Sequence, residues 1–212
     1  SGYGVGHNSV YHSIGSQAGT WTKAPDFPNG DNAGDSFSVL EPSGNVLVFG
    51  VSGSMYEWNG TAFSQVGSWA GAPILLPTGQ VMMFGYSNSV LYTPSGSPQS
   101  GWAPTITNVS SSLTHGQTYK ITGTQFNGLS QAVAFGDEYQ NATNYPLVRI
   151  TNKASGHVFY ARTHDHSSMG VATGSASVST MFDVPSSIET GASSLVVVAN
   201  GIASQSTKVT IY

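Results

Sequence analysis

The chain has no cysteine, which removes disulfide bridges, thiolate nucleophiles and cysteine-ligated zinc together. Charge is nearly as scarce. Asp, Glu, Lys and Arg make up 8% of the 212 residues, and the six basic side chains (Lys23, Lys120, Lys153, Lys208, Arg149 and Arg162) stand singly. With no basic stripe to neutralise a phosphate backbone, the composition argues against nucleic acid as a partner. The net charge of -4 adds only mild acidity. Long apolar runs are also missing: the longest aliphatic stretch, Leu195 to Ala199, falls far short of the roughly 20 residues that span a bilayer, so no membrane span is expected. No stretch of useful length has helical periodicity, and there is no Gly-x-Ser-x-Gly elbow, phosphate loop or paired-carboxylate spacing specific enough to announce catalysis. Ser1 stands where a start methionine would, with no basic-then-apolar leader behind it, which predicts that an N-terminal part has been removed.

What the chain does have is repetition. Leu40-Glu41-Pro42-Ser43-Gly44-Asn45-Val46-Leu47-Val48-Phe49-Gly50 recurs as Leu75-Leu76-Pro77-Thr78-Gly79-Gln80-Val81-Met82-Met83-Phe84-Gly85, a period of 35 residues. Each copy passes through a Pro-x-Gly turn into a short apolar run that closes on Phe-Gly, the pattern of a buried strand punctuated at both ends. Self-similarity at such a period indicates propellers or solenoids, whose units bury their apolar faces only against neighbours. A second pattern flanks the first. Tyr11 to Trp21 and Tyr92 to Trp102 each place Tyr and Trp ten residues apart around a Gly/Ser turn, and Tyr56 running to Trp69 is a looser copy. These predict hairpins in which a strand ending in Tyr turns back into a polar strand closing on Trp. The expected order is the tail of one repeat followed by two whole ones.

Gly96 to Pro104, dense in Ser, Pro and Gly, reads as a boundary between residues 1–102 and 103–212. Beyond it come short, often β-branched runs at Thr105–Ser110, Gln117–Thr124, Gln131–Phe135, Leu147–Thr151, His157–Arg162, Val178–Val184, Ser194–Ala199 and Thr207–Tyr212, spaced as in a β-sandwich. The whole chain is predicted to be all-β. Abundant Ser, Thr, Gly and Asn, and glycosylation sequons at Asn59, Asn108 and Asn141, lean toward a secreted or cell-surface protein.

The Pro-x-Gly-x-Val strand followed by a Tyr hairpin and a Trp resembles the kelch blade of a β-propeller. Tyr119-Lys120-Ile121-Thr122-Gly123-Thr124-Gln125-Phe126 resembles the opening strand of immunoglobulin-like, TIG-type modules. Together they suggest a partial kelch-type propeller of about two blades followed by an immunoglobulin-like β-sandwich. That order is similar to galactose-oxidase-like and glyoxal-oxidase-like copper radical enzymes and to the non-enzymatic bacterial kelch proteins that resemble them. Ser130 through Ser204, with Asn144-Tyr145-Pro146-Leu147-Val148-Arg149, Thr163-His164-Asp165-His166-Ser167 and Val198-Ala199-Asn200-Gly201-Ile202, looks most like the C-terminal domain of the bacterial kelch proteins. Propellers close with roughly four to eight blades, so the resemblance implies further blades, self-association or another subunit covering an open edge.

The resemblance also implies where a metal would sit. Thr163-His164 matches the Thr-His whose imidazole ligates copper in the radical oxidases, and His164 and His166 are the candidate metal ligands. The same enzymes need a cysteine-crosslinked tyrosine, which this chain has no residue to form, and the Tyr11-His12 match to their Tyr-His tract is accidental. The alternative is that both histidines bond loop carbonyls or pack beneath the blades. Asn29-Gly30-Asp31-Asn32-Ala33-Gly34-Asp35 has the ingredients of a calcium loop, with Asp31 and Asp35 as ligands, but lacks the distal bidentate Glu; the competing reading is a set of Asx turns. Asp137-Glu138 reads as a solvated acid pair. Trp21, Trp58, Trp69 and Trp102 offer stacking platforms for sugar rings or packing between blades. The expected function is a non-catalytic exported β-protein for surface assembly, adhesion or carbohydrate contact, with a copper-oxidase fragment and a lectin as rivals. No cofactor is required by it, and copper and calcium remain open.

Overall fold

A computed structural model of the chain describes residues 7–34, 36–69, 71–85, 87–131, 133–135, 139–140 and 145–212. Asp35 and the Asp137-Glu138 pair fall outside them, as does the sequon asparagine Asn141. The described residues form an all-β protein whose only helical pieces are two single 3-10 turns, Pro28–Gly30 and Ser100–Trp102.

The first half is a series of antiparallel hairpins. β1 (Ser9–Ile14) and β2 (Gln17–Lys23) pair with each other alone, with Tyr11 opposite Trp21. β3 (Ser38–Leu40), β4 (Val46–Phe49), β5 (Ser54–Trp58) and β6 (Phe63–Ser68) follow as a four-stranded meander, then β7 (Ala72–Leu75), β8 (Val81–Phe84) and β9 (Ser89–Tyr92) as a three-stranded one. The repeat seen in sequence is repeated in bonding. The Gly44 N–H donates to the Glu41 carbonyl at 3.0 Å and that of Gly79 to the Leu76 carbonyl at 2.9 Å, with both glycines at positive φ (95° and 83°) that a side chain would strain. The fourth strand expected to close on Trp102 is not formed, because Trp102 lies in a 3-10 turn and its ring packs over Gly44.

In the second half, β10 (Thr105–Asn108), β11 (Ser112–Leu113), β12 (Thr118–Thr124), β15 (Leu147–Asn152), β16 (Val158–His164), β17 (Val178–Asp183), β18 (Gly191–Ala199), β19 (Ile202–Ala203) and β20 (Thr207–Ile211) build one curled sheet. Its order is β10-β12-β17-β16-β15-β18-β20-β11, with β19 on β18, and only the β11–β20 pair is parallel. Alternating burial along β12, β15 and β17 turns Ile121, Val148, Ile150 and Phe182 into an enclosed core with Leu195, Val197 and Ile211. Burial contributes ~1.5–3 kcal/mol for each fully enclosed large apolar side chain in this core.

One expected sandwich strand belongs elsewhere. β13 (Val133–Phe135) pairs with β3, and β14 (Tyr139–Gln140) pairs with β13, so this hairpin from the second half completes a six-stranded sheet in the first. Val133 joins Val39, Leu47, Phe49 and Met55 of one sheet and Leu75, Val81 and Met83 of the next in a second core. The neighbouring sheets thus bury their apolar faces against each other, as repeat units must.

Candidate functional site

Where the two Pro-x-Gly turns nest, the structure buries a pair of acids. Glu41 begins the first turn, at the position occupied by Leu76 in the next repeat, and is 0% exposed; Glu57, on β5 opposite Leu47, is 8% exposed. Glu57 is well supplied with donors. Its Oε1 accepts from the Tyr92 hydroxyl at 2.6 Å and the Ser95 N–H at 3.4 Å, and its Oε2 from the Ser95 hydroxyl at 3.0 Å and Asn45 Nδ2 at 3.5 Å. Glu41 has one donor, the Ser43 hydroxyl at 3.2 Å on Oε2, while its Oε1 is buried with no partner.

The charge state follows from these surroundings. Burial, then repulsion from the Glu57 carboxylate, pushes the Glu41 carboxyl up to about 7, and a hydrogen bond between the two acids adds to the rise. Tyr92 is also driven above its ordinary value, by burial first and then by its bond to Glu57, so it stays a neutral donor. An open cleft of about 180 Å³ adjoins the pair, lined among others by Ser43, Thr78, Gln80, Thr93 and Ser95. Sequence reasoning overlooked these acids. The available signal was the repeat itself, which sets Glu41 at a position the second copy fills with Leu76.

The histidines are placed apart in function. His164, at the end of β16, has Nδ1 against Asp165 Oδ2 at 3.0 Å and Nε2 against Asp183 Oδ1 at 3.1 Å. The Asp183 bond, then that of Asp165, raises its pKa, and both ring nitrogens lie against carboxylate oxygens. His166 Nδ1 meets the Thr180 hydroxyl at 2.8 Å, and that hydroxyl donates in turn to a carbonyl 3.0 Å away, so His166 is the donor in this pair. Its ring stands edge-on to Tyr145 with centroids 4.7 Å apart, and burial, then the charge on His164, lowers its pKa. The two imidazoles therefore serve separate networks. Among the described residues no three His, Cys, Asp or Glu side chains converge as a metal site.

Asp31 acts on its own backbone and on a neighbouring turn. Its Oδ1 accepts from the N–H groups of Asn32 at 2.9 Å and Ser52 at 3.2 Å, and its Oδ2 from the Ser52 hydroxyl at 2.5 Å and the Tyr56 hydroxyl at 3.0 Å. Burial works to raise its pKa, but the bonds from Ser52, Asn32 and Tyr56 together outweigh it and the net shift is downward. Of the four donors on this carboxylate only the Asn32 N–H is local; the other three come from Ser52 and Tyr56.

The four tryptophans divide by exposure. Trp21 is 70% exposed and leans on Tyr11 at 5.0 Å, forming a solvent-facing aromatic pair on the β1–β2 hairpin. Trp58 packs at a tilt against Phe63 with ring centroids 4.7 Å apart, Trp69 packs against the inter-sheet core, and Trp102 covers Gly44. Trp69 also lines an open cleft of about 530 Å³ with Phe37 and Phe49, and its buried Nε1 has no partner.

Fold and site together define an all-β protein of repeated meanders and a curled sheet, tied at the repeat junction by a buried acid pair. No protein-family model matches the chain, and no curated protein is significantly similar to it. No helix among the described residues is long and apolar enough to cross a membrane.

Proposed function

We propose that the chain is a non-catalytic exported β-protein of surface assembly: about two kelch-type blades in residues 1–102, followed by an immunoglobulin-like sandwich in 103–212, that engages further blades or a second copy through open sheet edges. The observation behind this reading is the β1–β2 hairpin, which pairs with no other described strand and exposes Tyr11, Ile14 and Trp21. β9 adds a second open edge, where Val90 and Leu91 are 40% and 52% exposed. Unpaired N–H and C=O groups beside apolar side chains are a template for another strand. Exposed Asn59 and Asn108 in their sequons agree with passage through a glycosylating, extracellular route.

The test is the oligomeric state of the purified chain by size-exclusion chromatography with light scattering over a dilution series. Association that weakens in Leu91→Lys and Trp21→Ser is the expected result. A monomer at every dilution, with both variants indistinguishable from it, overturns self-assembly as the role of these edges.

A lectin role is the second reading, favoured by the solvent-facing Tyr11–Trp21 pair and by the aromatic cleft at Trp69 with its unpartnered N–H. The copper-oxidase alternative draws no support from His164, whose ring nitrogens are both taken by carboxylates.

A further inference from the structure

Two carboxyl groups share the repeat junction without a countercharge. Neither Glu41 nor Glu57 has an ion-pair partner among the described residues, although Glu41 is completely enclosed. Burying one carboxylate unpaired is costly, and two side by side more so, unless a shared proton or a cation lies between them. The Glu41 Oε1 is an independent sign: it is a wholly buried acceptor with no hydrogen-bond partner beside a second carboxyl, and a cation would satisfy it. The candidate ligands are oxygens, the two carboxyls and the hydroxyls of Ser43 and Ser95, while the Tyr92 hydroxyl, Asn45 Nδ2 and the Ser95 N–H hold Glu57 in place. Ser43 and Ser95 also line the adjoining cleft, which provides an entry path and room for water.

We propose that the Glu41–Glu57 junction is a binding site for a hard divalent cation, calcium in particular, that clamps the two repeat sheets together. Oxygen ligands favour calcium, which accepts irregular geometry and completes its shell with water, over zinc, which prefers nitrogen and sulfur. The parts joined are distant in sequence: the first Pro-x-Gly turn through Glu41, β5 through Glu57, and the loop after β9 through Ser95. The site is separate from the Asp31 loop, whose carboxylate is already satisfied, and it does not depend on the assembly reading.

Thermal melting of the chelator-stripped chain, with calcium, magnesium or sodium chloride added at matched ionic strength, tests the site, together with calorimetric titration of calcium. A calcium-specific rise in Tm of roughly 5–10 °C at ~100-fold excess over Kd is expected, with one ion bound per chain. Glu41→Gln and Glu41→Leu, the latter installing the residue of the second repeat, should each melt cooperatively and lose the calcium response, whereas Asp31→Asn should keep it. The inference is overturned if calcium does no more than sodium, or if its effect survives in either folded Glu41 variant.

Discussion

At the scale of single residues, the histidine cluster shows how far a sequence motif reaches. Thr163-His164-Asp165-His166 was visible as imidazoles around an acid, but the partners that decide their chemistry lie far along the chain. Asp183 from β17 bridges Thr118 at 2.6 Å, His164 at 3.1 Å and Arg162 at 3.2 Å, and no local spacing announces that meeting. The bond from Thr118, then that from His164, lowers the Asp183 pKa, while Asp183 and Asp165 raise that of His164. The linkage runs in opposite directions for the two groups. The raised histidine contributes stability that is complete below its unfolded value of about 6.5 and is lost as pH climbs through its higher folded value. The lowered aspartate contributes above about 3.8, and that part is lost as pH falls through its lower folded value. The clamp therefore operates fully from mild acidity up to the ordinary histidine value. NMR titration should place His164 above a model imidazole, and Asp183→Asn should bring it down toward the ordinary value. A His164 midpoint unmoved by that substitution removes Asp183 as the cause.

At the scale of elements, strand positions were legible and strand partners were not. Short, often β-branched runs marked β12, β15, β16 and β17, and burial alternates along each because one face meets a core and the other meets solvent. A run of the same kind marked β13 but carried no information about which sheet it would join, and it joins β3. The Gly- and Ser-rich run before Trp102 resembled the earlier hairpins in composition, yet Trp102 turns back over Gly44 instead of extending a strand. Asp31 illustrates an element-scale role that composition hinted at. Its carboxylate holds the Val51-Ser52-Gly53 turn between β4 and β5 and the hydroxyl of Tyr56, a residue 1% exposed. Asp31→Ala removes the acceptor and leaves those donors unsatisfied, so urea denaturation should show a loss of about 1–3 kcal/mol. Asp31→Asn keeps part of the bonding and should lose less. Equal losses in the two variants mean that the turn does not depend on an acceptor at this position.

At the scale of the molecule, the question is what makes two cores one structure. The sequence marked a boundary near residue 100, and apolar clusters do form on either side of it, but the chain crosses back through the β13–β14 hairpin. A second connection is the turn from β18 to β19, where Asn200 and Gly201 both take positive φ (47° and 73°). The Asn200 side chain accepts from the Leu129 N–H at 2.8 Å and donates to the Ser130 carbonyl at 3.0 Å, while Gly201 presses on the second Pro-x-Gly turn. A Cβ at Gly201 would lie 2.7 Å from the Gly79 Cα and 3.1 Å from its N, both backbone atoms that cannot rotate away. Gly116 supplies the matched control, since its φ of 75° is close to the 73° of Gly201 but nothing lies within 4 Å of a Cβ built there. Gly116→Ala should therefore report backbone strain alone, on the order of 1 kcal/mol, and leave a single melting transition. Gly201→Ala adds the collision and should cost more, on the order of 2–4 kcal/mol, with the β3–β9 region melting before the curled sheet because the turn that seats them has been forced apart. Amide exchange by region distinguishes the cases: early loss of protection confined to β3–β9 in the Gly201 variant identifies the contact as the seat between the two cores, and uniform loss in both variants shows that the β13–β14 hairpin alone unites them.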